Sequence, residues 1–383
     1  MNFSWPQEYL DFKDRVAAFS AEQLNGDAKT DDYIQRFPRE LWEKCADFGI
    51  QGLSLPKTYG GELEEVDFLR ALLAMEALGY GCRDNGLAFA LNAQMWTVQV
   101  PIRDFGNEEQ KQRYLPAMAA GKIIGAHALT EPEAGSDVMS MKMQAKKVDG
   151  GYLLNGAKRY ITLGPIADVV LIFARTRPDL GNWGISAFLV DRGTPGFTQS
   201  EKKDKMGMRS VPIGSFEFKD CLVPESAILG REGMGFAITN HSLEYDRCSI
   251  LASQLGAMER QLDESVAYAK GRKQFGQSIG SFQAVSHRLA DMKLRLETAR
   301  LMLYKVAWLK QQGKSAIMEA AMLKLQLSEA FVASSLDAIR TRGGDAYLGG
   351  GGVDRDLRDA VGGLIYAGTS DIQKNIIAKF LGL

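Results

Sequence analysis

The chain is poor in the residues that build metal and nucleophile sites. Among 383 residues it has four cysteines and three histidines. Cys45, Cys82, Cys221 and Cys248 are scattered, with no CxxC pair, which excludes a zinc knuckle or a redox dithiol and leaves four buried free thiols as the expectation. His127, His241 and His287 also lack ligand spacing, so no metal is expected and a histidine-based triad is not indicated. There is no long basic block, and net charge is −1, which argues against nucleic acid as a partner. No apolar run reaches the roughly 18 residues that span a bilayer. The start, MNFSWPQEYLDFKD, has neither a basic flank nor an apolar segment, so no secretory leader is expected and the cytoplasm is the default compartment. No strand is followed by G-x-G-x-x-G, so a Rossmann-type dinucleotide site is not indicated.

What is present is a soluble-protein composition, 45% hydrophobic and 24% charged, in a chain long enough for two or three domains. Residues 1–118 read as helices. EYLDFKDRVAAFSAEQL and PRELWEKCADFG place apolar residues three and four apart, with KTDDYIQRF between them as a charged connector. VDFLRALLAMEALGYG and AFALNAQMWTVQVPIRDFG follow as a longer helical pair. Over 119–228 the period becomes two. KMQAKKV, the turn Asp149-Gly150-Gly151 and YLLNGAKRYIT read as a hairpin, and ADVVLIFARTR, GISAFLVDRG and SFEFKDCLVP as further strands. Short strands without intervening helices predict a β-barrel or sandwich rather than a parallel α/β sheet. Over 229–383 the chain is helical again. Val285, Leu289, Met292, Leu296, Ala299, Leu303 and Val306 follow a 4-3-4-3-4-3 spacing, the seam of a four-helix bundle. Met318, Met322, Leu325 and Phe331 predict a second apolar face, its methionines filling core. The one low-complexity run is Gly349-Gly350-Gly351-Gly352.

Two stretches carry the candidate site. In Ala128-Leu129-Thr130-Glu131-Pro132-Glu133-Ala134-Gly135-Ser136-Asp137, Pro132 interrupts any helix, and Ala134-Gly135-Ser136 lets another molecule approach the backbone. Alone, such a loop is also a plain turn. About thirty residues on comes Arg159-Tyr160-Ile161-Thr162, on another strand. Together the pair resembles the flavin-contacting loops of the acyl-CoA dehydrogenase family, and the likeness runs over essentially the whole chain. It implies that family's fold: an N-terminal α-helical domain, a middle β domain and a C-terminal four-helix bundle. It also implies FAD, held non-covalently across a subunit interface in a homotetramer. Thr130 and Thr162 would bond the ring system, Leu129 and Tyr160 would lie against it, and Gly135 and Ser136 would serve the pyrophosphate or substrate side. In the family a neighbouring subunit grips the adenine half. Arg272 and Phe275, in RKQFG, match that anchor, as do Arg340, Gly343, Gly344 and Thr369. Arg340 replaces the usual Gln, and Asp345-Ala346 the usual Asn-Gly.

Removing hydride from an acyl thioester also requires a base for the α-proton. The family's usual glutamate, in Tyr-Glu-Gly-Thr, is here Tyr366-Ala367-Gly368-Thr369, and alanine takes no proton. A minority that includes isovaleryl-CoA dehydrogenase carries its base on an earlier helix, just before an Arg that precedes a Gly by nine residues. Arg247 and Gly256 fit that spacing, which makes Asp246 the positional candidate. Glu244 is the candidate by side-chain length. Residues two apart point about 200° apart on a helix, so only one of them faces the ring. In a purely structural alternative both acids pair with Arg247 or Arg209. Ser136, Arg247, Tyr366 and Ala367 are the expected substrate neighbours, and YGCRDNGLAFALNAQ either lines the acyl pocket or is helix packing. Within the family the nearest likeness is to flavin oxidases of prolyl groups tethered to a carrier protein, carried by GCRDNGLAFALNAQ, GPIADVVLIFARTRPDLGNWGISAFLVD, SFQAVSHRLADMKLRLETARLMLY and SDIQKNIIAKFLGL. The implied partner is an acyl thioester on a carrier protein or CoA. The alternatives are a short branched-chain acyl-CoA dehydrogenase, or a flavin module or monooxygenase without dehydrogenase chemistry.

Overall fold

The computed structural model describes residues 4–348 and 351–383; residues 1–3 of the amino-terminal stretch, and Gly349 and Gly350 of the glycine run, lie outside them. Helical periodicity in the first part of the chain becomes α1 (Gln7–Gln23), α2 (Ala28–Ile34), α3 (Arg39–Phe48), α4 (Phe68–Gly81), α5 (Asn85–Gln94), α6 (Val100–Phe105) and α7 (Glu108–Ala119). A π-helical turn, Met95–Gln99, joins α5 to α6. One expectation is corrected here: the segment taken as a charged connector contains α2. Seven residues are too few to show a periodicity, and the helix is set instead by its ends. The Asp27 carboxylate accepts the Thr30 amide at 3.1 Å, and Gln35 closes the helix in a left-handed conformation.

Eight strands follow: β1 (Gly125–Ala128), β2 (Gln144–Val148), β3 (Gly151–Thr162), β4 (Val169–Arg175), β5 (Ile185–Asp191), β6 (Phe197–Gln199), β7 (Ile213–Pro224) and β8 (Ile228–Leu229). They form one sheet in the order β6-β7-β3-β2-β4-β5-β8, with β1 beside β4. The β2–β3 hairpin closes as expected, Val148 opposite Gly151. The sheet is mixed, because β4 runs parallel to β1 and β2 but antiparallel to β5. Strand β4 is VVLIFAR, apolar at every position but the last, because both of its faces are buried. Val169, Leu171 and Phe173 cluster with Tyr114, Leu115 and Met118 of α7. Val170, Ile172 and Ala174 belong to the other core, with Phe216 and Phe218 of β7. The rings of Tyr152 on β3 and Phe188 on β5 meet at 5.3 Å across that core, so the sheet folds over itself.

The last part comprises α8 (Gly235–Gly271), a small hairpin of β9 (Lys273–Gln274) and β10 (Gln277–Ser278), then α9 (Gln283–Gln311), α10 (Ile317–Arg342), α11 (Gly344–Tyr347), α12 (Val353–Gly363) and α13 (Ser370–Phe380). The α9 seam is buried at Met292, Leu296, Ala299, Leu303 and Val306, and half-buried at Val285 and Leu289. On α10 the core positions are Ala320, Leu323, Leu327 and Phe331, whereas Met318 is half-buried and Met322 exposed. The expected face is therefore rotated by about a residue. The four cysteines are buried. His127 packs on Phe173 at 5.2 Å, where burial pushes its imidazole down to about 4.

Two contacts position the site. Helices α4 and α8 cross with backbones touching. A Cβ on Gly79 would stand 1.8 Å from the Ser253 carbonyl oxygen, and one on Gly256 would stand 1.9 Å from that of Glu76. No larger residue fits without separating the helices. Elsewhere Lys158 of β3, 0% exposed, donates to Glu131 at 2.9 Å and to the Leu129 carbonyl at 3.1 Å. Glu131 also accepts the amides of Lys142 and Met143. This buried pair pins the loop after β1 to β3.

Gly256→Ala is expected to cost about 1–3 kcal/mol through overpacking, seen as a lower Tm in calorimetry. Lys158→Met leaves the Glu131 charge buried without its cation and should cost about 3–5 kcal/mol. The double variant Lys158→Met/Glu131→Gln should recover part of that loss in the same melts. A single variant as stable as wild type would show that the pair does not hold the loop.

Candidate active site

The loop and the strand named from sequence are joined in space. The Arg159 amide donates to the Thr130 carbonyl at 2.8 Å, beside the Lys158 contact with Leu129. Between Lys158 and Ile161 the β3–β7 register slips. Tyr160 is extruded at this irregularity with φ 61°, and its side chain is 62% exposed. A non-glycine residue in that conformation is strained and held by its surroundings. Leu129 is buried, Thr130 and Thr162 are half-buried, and Gly135 and Ser136 are exposed. The hydroxyls of Thr130, Ser136 and Thr162 make no hydrogen bond with another described residue. A Cβ at Gly135 would meet nothing within 4 Å. The result is a set of unused donors around open backbone, next to an exposed aromatic ring. Such a set suits a planar heteroaromatic group bearing carbonyls and phosphate.

The two candidate acids on α8 have opposite surroundings. Glu244 accepts the Ala316 amide at 2.9 Å and lies 3.2 Å from the Lys310 ammonium, so it caps the start of α10. Asp246 is 7% exposed, and its Oδ1 is buried without a hydrogen-bond partner among the described residues. Burial pushes its carboxyl up to about 7, opposed by the nearby charges of Arg247 and then Lys324. Arg247 has a buried Nε without a partner, and burial lowers its guanidinium. Neither acid pairs with Arg209, which bonds Asp204 and the Asp32 and Lys205 carbonyls.

Around Asp246 the structure gathers residues from three further elements. Tyr366, whose phenol is pushed up by burial and then by Asp246, receives a hydrogen bond from the Gln254 amide on α8. Phe89 of α5 packs on the Tyr366 ring at 4.8 Å. Lys324 of α10 places its ammonium 6.0 Å from that ring centroid. Of the stretch 80–94, Phe89 is therefore the residue that reaches this site, while Leu87, Ala88, Ala90 and Leu91 are helix core. Ala367 follows Tyr366 with φ 53°, and its carbonyl accepts from Gln373. Thr369 caps α13 by accepting the Ile372 amide at 3.3 Å. A buried carboxyl without a partner at Oδ1, pushed up to about 7, is equipped to accept a proton.

Lys324, Gln254 and Phe89 were not singled out from sequence. Lys324 carried a signal all the same: it interrupts the apolar face of α10 at a position where Ala320, Leu323 and Leu327 are buried. A lysine there must find a carbonyl or an acid.

The remaining expected anchors lie at the exposed turns of the bundle. Arg272 closes α8 and is exposed, and the Phe275 ring is 93% exposed beside Phe282. Arg340 is held by Asp337 at 3.2 Å, and Gly343 ends α10 with φ 60° ahead of Gly344. Among the described residues, no hydrogen bond or ion pair links these anchors to the Thr130 loop.

Residues 6–122, 126–221 and 233–382 match, in turn, the N-terminal, middle and C-terminal domains of acyl-CoA dehydrogenase. Over 384 aligned residues the chain is 42% identical to L-prolyl-[peptidyl-carrier protein] dehydrogenase of Pseudomonas fluorescens, with 100% of both chains covered. Among solved structures it is similar to the prolyl acyl carrier protein oxidase AnaB, with TM-score 0.97, 46% identity and coverage of 99% of this chain and 100% of that one. It is equally similar in shape to PigA with FAD and proline, with TM-score 0.97 and 42% identity over 100% of each chain. With all three domains matched in order around a loop–strand pair and a buried acid, this chain belongs to the acyl-CoA dehydrogenase family.

Proposed function

We propose that this chain is an FAD-dependent oxidoreductase that oxidises L-prolyl groups carried as thioesters on a carrier protein, with Asp246 as the base. The observation that carries the mechanism is the pairing of a vacant usual position, Ala367, with a buried, unpartnered Asp246 ionising at about 7. The relatives named above support the substrate class. The free hydroxyls of Thr130, Ser136 and Thr162, the open backbone at Gly135 and the exposed Tyr160 ring fit the donors and ring face that FAD requires. Bound FAD supplies the acceptor for hydride. Asp246 takes the proton from the carbon next to the thioester carbonyl. Loss of that proton and one hydride turns the prolyl group into a dehydroprolyl thioester, a two-electron oxidation. Phe89 and Tyr366 exclude water around the carboxylate, which makes it a stronger base than in water. Glu244 keeps a structural role at the start of α10.

The exposed Phe275, Tyr347 and Leu348 side chains, 93%, 90% and 82% exposed, support self-association. We assign them, with Arg272, Arg340, Gly343 and Gly344, to the grip on a neighbouring subunit's FAD in a homotetramer. Residues 1–118, 119–228 and 229–383 are taken as its three domains.

Substrate class is tested by anaerobic stopped-flow reduction of the flavin with prolyl-carrier protein, prolyl-CoA and isovaleryl-CoA. Fast reduction by the carrier-bound prolyl group is expected. Reduction by isovaleryl-CoA alone replaces the reading with a branched-chain dehydrogenase, and reduction by none removes dehydrogenase chemistry. Asp246→Asn should slow reduction by roughly 10²–10⁴-fold, whereas Glu244→Gln should keep the rate within a few-fold and lower Tm. Because the base works deprotonated, the wild-type rate should rise with pH through about 7 and then level off. An Asp246→Asn enzyme with the wild-type rate would falsify the assignment. Arg272→Ala should reduce flavin retention and subunit association together, by absorbance and light scattering. A flavin-replete monomer would refute the interface.

A further inference from the structure

Lys324 stands in the first third of α10 with its side chain fully buried. Its ammonium donates to the Gly363 carbonyl at 2.6 Å, at the end of α12. One carbonyl satisfies one of three donors, and an ammonium removed from water needs an opposing charge as well. The acids acting on it are Asp246 and, after it, Glu329, with Arg247 opposing. Its Tyr366 contact at 6.0 Å places it over the same ring that Phe89 and Gln254 hold. Gly363 opens the five-residue stretch Leu364–Gly368, whose Ala367 and Gly368 take positive φ.

We propose that Lys324 is a positioning residue for Asp246: it ties the turn bearing Tyr366 and Ala367 to α10, and its charge holds Asp246 in the proton-accepting form. The proposal rests on Asp246 being the base. The charged and titratable groups whose fields act on Asp246, or on which it acts, are Arg247 and Cys248 from its own helix, Lys324 from α10 and Tyr366 from the turn. Burial pushes the Cys248 thiol up to about 12 and raises the Tyr366 phenol, so both are neutral near pH 7. The two cations alone oppose the burial of Asp246. Arg247 is its chain neighbour and half-buried; Lys324 acts on it from a separate helix. Burial lowers Lys324 to about 8 and raises Asp246 to about 7, and each charge opposes the shift of the other. A cation favours the carboxylate, and its removal must move the Asp246 midpoint upward.

The test uses the flavin-replete protein without substrate. Difference infrared titration follows the buried carboxyl band, assigned by its loss in Asp246→Asn. In Lys324→Met, and in Lys324→Gln should the first fail to fold, the midpoint should rise by about one pH unit. Lys324→Arg should leave it in place. In stopped flow the acid limb of the reduction rate should move by the same amount, with wild-type and variant rates converging at high pH. An unmoved midpoint, with reduction slowed by one factor at every pH, makes Lys324 a mere tether and overturns the proposal. A midpoint that moves while the kinetic limb stays put shows that Asp246 is not the base, and removes both readings.

Discussion

Backbone contact between α4 and α8 sets the depth at which Asp246 is placed. With Gly79 and Gly256 facing the Ser253 and Glu76 carbonyls, the helices approach until main chain meets main chain. That approach carries α8 inward along its middle, and residues 248–258 are buried without interruption. Asp246 lies two residues before that stretch, itself buried. The same crossing brings Glu76 to Arg300 and Tyr304 of α9 and Lys13 of α1, so one carboxylate ties three helices around α8. The Glu76 carboxylate accepts from all three of these side chains. Asp246, a short distance along the same core, has no such donor at Oδ1.

That contrast separates the acids with structural partners from the one without. Glu76, Glu131 and Glu244 are each matched to cations or amides. Asp246 has charges near it but no hydrogen bond at Oδ1. An unmade hydrogen bond at a buried oxygen costs about 1–3 kcal/mol, a destabilisation that the large core tolerates. It also leaves that oxygen open to a further donor.

Much of this was legible in the sequence, and the exceptions have physical causes. The β2–β3 hairpin followed from alternation and a Gly turn, and the α9 seam from its spacing. The link between Thr130 and residues 159–162 could be named because the two stretches together resemble the flavin-contacting loops of the family. Helix α2 was missed because a cap, not a periodicity, makes it. The apolar face of α10 was misplaced because Met318 and Met322 are apolar by type, while the buried positions are filled by alanine, leucine and Lys324. Choosing between Glu244 and Asp246 was beyond any helical wheel. The wheel shows that the two diverge, but the amide that takes Glu244 lies 72 residues further on, on a helix whose docking only coordinates reveal.

The cap that Glu244 provides also bears on how the chain folds. The first turn of α10 leaves free amides, and the Ala316 amide is satisfied from α8, across the whole of α9. Helix α9 can form by local contacts, but this end of α10 is completed only when α8 has docked beside it. The entropy of closing that long segment must be met before the contact repays it, so the step falls late in folding. Native-state hydrogen exchange at the start of α10 then reports on the integrity of the helix carrying Asp246. A lesion in α8 will register as early opening at a turn 72 residues downstream.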